Sequence, residues 1–515
     1  MRWWHRLRSP SLWAFLSGWL PTLALPRPSF WWFAYVALIP LLVLVRSASG
    51  ARTAAFRGWL WGAGFVLGMY HWLLPNLHVF LVGVAAVLGL LWLAWAVLAW
   101  WLLRDPWTGP RIALALTALP AATVVLEWIT SWDRLGGPWA LLGASQWNVP
   151  PVRQLAALGG PWLIGAFLVL VNVAVFVAVA GGGRWRWYSV GAGALAVGAV
   201  LGWAALSPDP TGSGTLRVAL VQPGVVHGPA ARFDAGEALT RSLPPGQQLD
   251  LVLWAESSIG FDLDSRPDLM ARLTELSGRT GAPLLVNVDA RRPGPGGIYK
   301  SSVLLDQSGE LAQYDKRRLV PFGEYIPLRP IFGWIGKLSE AAAEDRRRGA
   351  GPVLMTIHPG SRVTPVRLGP LISFESAFPD LSRQLARHGA DVLVFQIATS
   401  TFQDSWGPWR NAATSALRAV ESGRPVVHAT LSGVTTAYDP TGRRLGVLMG
   451  TSVRGVRVVD VPLVTRSTPY VRFGEWLPIA AAAYLAGLAA ASALARVRPQ
   501  QDRASSESTR MPGPP

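Results

Sequence analysis

The stretch that decides the fold is Val366–Asp380, which reads VRLGPLISFESAFPD. A buried apolar strand ends abruptly at Ser373, an acid follows at Glu375, and a helix begins near Pro379. Such a strand-to-helix corner presents a hydroxyl at the end of a sheet, with backbone N–H groups nearby that can stabilise an oxyanion. Most corners of this kind are only structural, so the prediction of an active site depends on the segments that accompany it.

Two other segments supply the charges that a reaction at this corner would need. An apolar strand ends at Trp254 and is followed by Glu256, and Lys316 precedes the run LVPFGEY at 319–325. In this order, the three segments resemble the nitrilase superfamily. Their exact residues are most similar to the membrane-bound branch of that superfamily, the apolipoprotein N-acyltransferase family. The resemblance covers nearly the whole chain. That family has a cysteine where this chain has Ser373.

The composition is that of a membrane protein. The chain has 515 residues with only 15% charged, against about 25% in a typical soluble domain, and its mean hydropathy is +0.30. The net charge of +17 could indicate nucleic-acid binding, but the arginines lie in short loops between apolar runs and in the tails. Orientation in a membrane explains that distribution better, so we expect no nucleic-acid partner. The lack of cysteine excludes disulfides, a cysteine-ligated metal and a thiolate nucleophile.

The uneven charge predicts five parts of the chain: a seven-span membrane domain at 1–206, a linker at 207–214, a polar domain at 215–465, an eighth span at 476–495 and a disordered tail at 496–515. Each apolar run is near the ~20 residues that cross a bilayer. The eight predicted spans are Ser11–Leu25, Ser29–Val45, Ala54–Leu74, Val79–Leu103, Ile112–Trp132, Leu155–Ala180, Trp187–Leu206 and Trp476–Ala495.

Alternate loops are rich in arginine, which predicts the orientation of the chain. The rich loops hold Arg46, Arg52 and Arg57, then Arg104 and Arg111, then Arg184 and Arg186, and the tail includes Arg496, Arg498 and Arg503. The positive-inside rule then places both termini in the cytoplasm and the polar domain outside a cell membrane. The first apolar run could instead be a signal peptide, although further spans follow it at once.

Strand-like runs alternate with helical patterns in the polar domain, which indicates an α/β fold. The resemblance implies the αββα sandwich of nitrilases, joined here to the multi-span helical membrane domain.

Acyl transfer through a covalent enzyme needs a nucleophile, a base that takes its proton, and positive charge for the oxyanion. The resemblance assigns these roles to Ser373, Glu256 and Lys316. Supporting positions that it implies are Glu324, Glu375 and Phe374. Phe374 stands where the family often has Tyr, and Lys300 stands where Asn is common.

Ser373 leaves three interpretations open, because a serine hydroxyl is far less acidic than a thiol and a carboxylate is a weak base for it. The chain could be an engineered Cys→Ser variant, since removal of a single cysteine would give the observed count of zero. It could be a natural paralogue with weak or altered activity. It could also bind lipid substrates without turnover.

The loop at 326–351 combines an apolar aromatic run with a basic run. We interpret it as a lid that dips into the membrane, with its basic residues at phospholipid phosphates. The alternative is that its aromatic residues pack on the sandwich. The residues concerned are Phe332, Trp334, Arg346, Arg347 and Arg348.

The resemblance implies ping-pong transfer of an acyl chain from a glycerophospholipid to the N-terminal S-diacylglyceryl-cysteine of an apolipoprotein, with no cofactor and no metal. Two other hypotheses remain open at this point. One is a silent protein that binds lipoprotein or phospholipid in the same groove. The other is a nitrilase-like amidase for a soluble substrate, which the eight predicted spans disfavour.

Overall fold

The computed structural model describes residues 9–292, 297–334, 344–360 and 364–508, and it divides into a helical half and a half built on two β-sheets. The helical half ends at Leu206. Its α-helices are α1 (Pro10–Gly18), α2 (Ile39–Arg46), α3 (Ala51–Tyr70), α4 (Leu74–Leu77), α5 (Phe80–Gly89), α6 (Trp92–Leu103), α7 (Gly109–Thr130), α8 (Pro150–Arg153), α9 (Leu155–Gly159), α10 (Pro161–Ala180) and α11 (Arg184–Leu206).

Within the described residues, five helical segments are long and apolar enough to cross a membrane. Each of them overlaps one of the predicted spans. They are Phe80–Leu103, Gly109–Thr130, Pro161–Ala180, Arg184–Leu206 and Trp476–Leu494.

The first two predicted spans differ from the structure because prolines interrupt them. The run at 11–25 leaves the α-helix at Gly18 and continues as a 3-10 turn that contains Pro21. The run at 29–45 is a 3-10 segment followed by α2, which has Pro40 in its first turn. Proline has no N–H to donate and its ring clashes with the preceding turn, so neither run forms one continuous α-helix.

The other half contains twelve strands among the described residues and a smaller set of helices. The strands are β1 (Thr211–Gln222), β2 (Leu251–Trp254), β3 (Leu284–Arg292), β4 (Gly297–Asp306), β5 (Gly309–Asp315), β6 (Met355–Ile357), β7 (Val366–Ile372), β8 (Val392–Ile397), β9 (Val426–Thr430), β10 (Thr435–Tyr438), β11 (Arg444–Met449) and β12 (Gly455–Thr465). The helices of this half are α12 (Pro229–Arg241), α13 (Pro267–Thr280), α14 (Arg329–Phe332), α15 (Pro379–Arg387), α16 (Gly407–Ser422) and α17 (Pro469–Phe473). After them comes α18 (Trp476–Ser508), which contains the apolar segment Trp476–Leu494.

The strands form two six-stranded sheets, ordered β12-β1-β2-β3-β4-β5 and β11-β10-β9-β8-β7-β6. In each sheet three neighbouring inner strands are parallel, namely β1, β2 and β3 in one and β7, β8 and β9 in the other. The carboxyl ends of parallel strands meet at one edge of a sheet, which is where ligands bind in many α/β proteins.

Apolar side chains fill the space between the two sheets and also cover their outer faces. Leu253 and Leu285 of the first sheet belong to the same buried cluster as Ile372 and Val394 of the second. The outer face of the first sheet packs with residues of α12 and α13, and that of the second packs with residues of α15 and α16. The predicted αββα sandwich joined to a helical membrane domain is therefore confirmed.

The loop that follows α7 joins the two halves. Tyr70 at the end of α3 donates its hydroxyl to Gly137 O at 3.2 Å. A Cβ at Gly137 would lie 2.8 Å from the ring of Phe378 and 3.0 Å from that of Phe374, and the φ of Gly137 is +80°. The absence of a side chain thus lets this loop reach the strand-to-helix corner that follows β7.

Candidate active site

Glu256 lies just beyond the end of β2, and both of its carboxylate oxygens have partners. All four residues of β2 are buried, which carries the following segment inside the molecule, and Glu256 itself is only 2% exposed. Its Oε2 accepts the N–H of Ala398, beyond the end of β8, at 2.8 Å. Its Oε1 accepts a hydrogen bond from Lys300 Nζ at 2.6 Å. Glu256 thus connects the edges of the two sheets.

Lys316 follows β5 directly and lies between two carboxylates. Its N–H bonds to Lys300 O at 2.8 Å, which continues the pairing of β5 with β4. Its Nζ lies 2.8 Å from Glu324 Oε1 and 3.7 Å from Glu256 Oε1, and the side chain is fully buried. The second oxygen of Glu324 accepts the N–H of Val320 at 2.9 Å. This turn therefore supplies both the lysine and the acid that orients it.

Three further charged residues complete this cluster: Lys300 and Asp289, whose role the sequence did not reveal, and Arg346, which the sequence predicted as a lipid-facing lid residue and which instead lies beside Asp289. Lys300 Nζ also lies 3.3 Å from Glu324 Oε1 and 3.5 Å from Asp289 Oδ2. Arg346 donates to Asp289 Oδ2 at 3.2 Å. Asp289 lies within β3, directly opposite Lys300 of β4. The available signal in the sequence was an acid directly after the run LLVNV at 284–288, which does not by itself show the partner of that acid.

Opposite charges balance in this buried cluster, which contains three cations and three carboxylates. Burial alone would raise the pKa of Glu324, but Lys316 and Lys300 reverse that effect and lower it to about 2. Burial alone would lower the pKa of Lys300, but Glu256, Asp289 and Glu324 raise it above its ordinary value. Lys300 is therefore a permanent cation at neutral pH and not a proton acceptor.

Ser373 occupies the corner at the end of β7. The strand ends at Ile372, and Ser373 begins a 3-10 turn with a φ of +52°. Two other residues beside the charged cluster, Ser257 and Phe322, also have positive φ values, of +55° and +61°. Non-glycine residues rarely adopt this conformation, and it occurs most often where surrounding contacts impose it, as at functional sites.

Glu375 connects this corner to the strand end that carries Lys316. Its Oε2 accepts the N–H of Ile372 at 3.0 Å, just before Ser373. Its Oε1 accepts the N–H groups of Arg317 and Arg318 at 2.8 and 3.0 Å and the hydroxyl of Tyr314 at 2.8 Å. Burial raises the pKa of Glu375, although these backbone donors oppose the shift. The side chain is thus a structural clamp between the two segments.

The two sheets bring Ser373 and Glu256 to the same edge of the sandwich. Ile372 pairs with Gln396 in the sheet, and Gln396 donates through Nε2 to Trp254 O of the opposite sheet at 2.7 Å. Ser373 is one residue beyond Ile372, and Glu256 is two residues beyond Trp254. The Ser373 hydroxyl makes no hydrogen bond with any residue that the structure describes. Phe374, next along the chain, packs edge-on against Phe378, with ring centroids 4.8 Å apart.

The predicted lid is only partly within the described residues, because 335–343 lie outside them. Phe332 contacts Phe322, and Trp334 is 51% exposed with its ring 5.9 Å from that of Phe80, at the start of the apolar segment Phe80–Leu103. Arg346 belongs to the charged cluster, where it is largely buried. Trp334 therefore contacts the helical half, and its contact with lipid stays a prediction.

The other two arginines of the predicted lid face different parts of the molecule. The N–H of Arg347 bonds to Ile298 O at 2.8 Å, and its side chain packs beside Gly297. Arg348 lies 3.6 Å from Asp133, in the loop after α7, and over the ring of Tyr325. Arg348 thus lies where the two halves meet.

The arrangement has the groups that acyl transfer requires. The Glu256 carboxylate and the Ser373 hydroxyl follow the parallel strands β2 and β7. The buried ammonium groups of Lys300, within β4, and Lys316, after β5, lie beside that carboxylate. The ammonium groups could stabilise an oxyanion in a site from which water is largely excluded, where such interactions are strongest.

Comparison with known proteins agrees with this architecture. The family model described as the apolipoprotein N-acyltransferase N-terminal domain matches residues 17–174, and the one described as carbon-nitrogen hydrolase matches residues 217–470. The first covers much of the helical half and the second covers the two-sheet half.

Relatives of similar length are named apolipoprotein N-acyltransferase. The apolipoprotein N-acyltransferase of Allorhizobium ampelinum is 32% identical over 474 residues, which is 84% of this chain and 86% of that protein. The one of Sinorhizobium medicae is 30% identical over 489 residues, covering 87% and 89%. Among solved structures, Saccharomyces cerevisiae Nit3, a member of branch 10 of the nitrilase superfamily, matches with a TM-score of 0.38 and 17% identity, over 49% of this chain and 93% of that one. The chain is a membrane protein and belongs to the apolipoprotein N-acyltransferase family of the nitrilase superfamily.

Proposed function

We propose that this protein is a phospholipid-dependent N-acyltransferase that acylates the N-terminal S-diacylglyceryl-cysteine of lipoproteins through a covalent acyl-enzyme. The observation that carries the proposal is the buried contact of Lys316 with Glu324 and Glu256, at the same edge as the Ser373 corner. Membership of the family supports the substrate class. The glycerophospholipid donor and the diacylglyceryl apolipoprotein acceptor are inferred from it.

In the first half-reaction, Ser373 Oγ attacks the carbonyl carbon of a fatty-acyl ester of the phospholipid. The Oγ–carbon bond forms, and the proton of Oγ passes to Glu256. Lys316 stabilises the oxyanion of the tetrahedral intermediate. The bond from the carbonyl carbon to the glycerol oxygen then breaks, Glu256 returns the proton to that oxygen, and a lysophospholipid leaves.

In the second half-reaction, the α-amine of the lipoprotein attacks the same carbonyl carbon. A nitrogen–carbon bond forms, and the amine transfers a proton to Glu256. The bond from the carbonyl carbon to Oγ breaks, and Glu256 protonates Oγ. The products are an amide and the free Ser373, so the residue is available for another cycle.

Both substrates are lipids, so the site must open toward a membrane surface. We infer that both termini are cytoplasmic and that the two-sheet half lies on the extracytoplasmic face of the cell membrane. The arginine-rich alternate loops support this orientation. The contact of Trp334 with Phe80 supports entry of lipid beside the helix that begins there. Lipid contact by Phe332 belongs to the same proposal.

One observation favours a second candidate, a protein that binds these lipids without turnover. The Ser373 hydroxyl has no base within hydrogen-bonding distance among the described residues, and Glu256 is already paired with Lys300 and Ala398. Glu256 is also a weak base for a hydroxyl. Such a protein would bind the lipid substrate and release no product.

Intact-mass spectrometry of the full-length protein in detergent with phosphatidylethanolamine separates the two candidates. The proposed enzyme gains the mass of one acyl chain, the adduct maps to Ser373, and a diacylglyceryl lipopeptide with a free amine removes it. Ser373→Ala gains no mass. If the native chain stays unacylated while Ser373→Cys becomes acylated and transfers, the residue at 373 alone silences the site and the second candidate is correct. If neither chain becomes acylated, the acyltransferase proposal is wrong.

A further inference from the structure

A basic cleft lies beside the candidate active site, where the two halves of the molecule meet. It has a volume of about 840 Å³ and is lined by residues of α15, by Arg317 and Arg318 after β5, and by Asp133 in the loop after α7. Glu256, Lys300 and Glu324 do not line it. The backbone N–H groups of Arg317 and Arg318 contact Glu375, whereas their side chains line the cleft.

The cleft has more positive charge than its own carboxylates neutralise. Two of its five arginines are paired, because Arg318 binds Asp380 and Arg348 lies 3.6 Å from Asp133. The other three, Arg317, Arg383 and Arg387, have no carboxylate within 4.0 Å among the described residues. Three positive charges therefore remain on one concave surface.

The surroundings of two of these arginines favour an anionic ligand. Arg317 donates to the neutral amide oxygen of Gln384 at 2.8 Å. The Nε of Arg383 is buried and has no hydrogen-bond partner among the described residues. A buried charged donor without a partner destabilises the protein, and an anionic ligand with several oxygens would supply the acceptor.

The position of the cleft relative to the apolar helices indicates where this anion comes from. Asp133 follows the end of α7, and Arg383 packs against Gly474, just before α18 begins. These two helices are neighbours, since Trp128 Nε1 donates to Glu475 Oε2 at 2.8 Å. Phe473, next to Gly474 in the chain, is 61% exposed, as is typical of aromatic residues at a membrane surface.

We propose that this cleft binds the phosphate group of an anionic glycerophospholipid in the leaflet that the two-sheet half contacts. Arginine guanidinium groups bind phosphate oxygens in pairs of parallel hydrogen bonds, and the cleft lies beside the end of α7 and the start of α18, both of which are long and apolar enough to cross a membrane. Its three unpaired arginines favour a headgroup with net negative charge. The inference rests on the membrane assignment and not on acyl transfer, because its residues carry no part of that reaction.

Native mass spectrometry tests the site on the full-length protein released from vesicles of phosphatidylglycerol and phosphatidylcholine in equal parts. We expect retained phosphatidylglycerol on the native chain and roughly ten-fold weaker retention on Arg383→Gln/Arg387→Gln, because two charge-assisted contacts are lost. Arg457→Gln is the matched control, since Arg457 is exposed on β12 and its one hydrogen bond within the described part of the chain goes to the backbone of Val456. Equal retention by the double variant and the native chain would overturn the proposal.

Two further measurements make the result unambiguous. In the first, inorganic phosphate is titrated against the lipid-free protein and the thermal midpoint is recorded. If phosphate raises the midpoint as much as phosphatidylglycerol does, the ligand is a soluble phosphate and the lipid proposal is rejected. Tryptophan fluorescence reports the thermal midpoint of each lipid-free variant. If the double variant is unfolded, Arg387→Gln alone replaces it, because Arg387 is exposed and has no partner among the described residues. Undiminished retention by that variant would equally reject the site.

Discussion

Lys300 Nζ lies 2.6 Å from Glu256 Oε1, so the carboxylate proposed as the general base is bound by a buried cation. The same carboxylate lies 3.7 Å from Lys316 and accepts the N–H of Ala398. Two ammonium groups and one backbone donor therefore surround this carboxylate. This pairing orders Glu256 and also competes with proton transfer from Ser373.

Lys300→Met is expected to reduce the free energy of unfolding by about 3 kcal/mol, because it leaves buried carboxylates short of a partner. Lys300→Met/Glu256→Gln removes the positive and the negative charge together and should recover part of that loss. The thermal midpoints of the full-length variants in detergent, followed by tryptophan fluorescence, give the comparison. A double variant whose loss equals the sum of the two single losses would show that the two side chains are not coupled.

Stability should depend on pH through Glu324. Its pKa is lowered from 4.5 to about 2 in the folded protein, so the folded state favours the charged form. The stabilisation from this ionised group is fully present above about pH 4.5 and is lost as the pH falls toward about 2. We expect Glu324→Gln to be less stable than the native chain at neutral pH and to lose less stability over that acidic interval.

Glu275→Gln provides the control for this pH series. Glu275 pairs with Arg241 on the surface, its side chain is 60% exposed, and such pairs contribute little in physiological salt. Its thermal midpoints should follow those of the native chain across the whole pH range. If Glu324→Gln follows the native curve as closely, then Glu324 is not the origin of the acid sensitivity.

Glu375→Ala is expected to reduce the free energy of unfolding by about 3 kcal/mol or more and to abolish acylation. The change leaves three backbone N–H groups and the Tyr314 hydroxyl without an acceptor, at about 1 kcal/mol each. Tyr314→Phe removes only one of the four bonds and should cost about 1 kcal/mol. Thermal midpoints and the intact-mass assay are measured together, and equal losses in the two variants would contradict the role of Glu375 as a clamp.

Gly137→Ala should separate the loop after α7 from the corner at Ser373. The added methyl group would lie within 3.0 Å of the rings of Phe378 and Phe374. Gly136→Ala is a matched control, because Gly136 also has a positive φ, of +97°, but a Cβ there meets nothing within 4 Å. Limited proteolysis between the two halves should be faster in Gly137→Ala than in Gly136→Ala, and equal rates would show that this close approach does not join them.

The strands that end at the candidate site could be predicted from local patterns. Each strand is a short apolar run, and the acid, lysine or serine that follows it is adjacent in sequence. Glu256 follows a four-residue apolar strand, and Ser373 follows another. The two prolines at 21 and 40 were also visible in the sequence, yet hydropathy averaged over each run concealed their effect on the helices. Average hydropathy measures transfer into lipid and does not measure whether the backbone can continue a helix.

The sequence by itself determined the family, the apolar segments and the identity of the residues at the strand ends, since these depend on composition, spacing and order along the chain. Only the tertiary structure decided the partners of those residues. Lys300 pairs with Glu256 and Arg346 with Asp289 across 44 and 57 positions in the chain, and Arg383 comes to lie beside Gly474. No local pattern predicts such contacts, because the electrostatic and steric energies that select them depend on distances that exist only after the sheets and helices have packed.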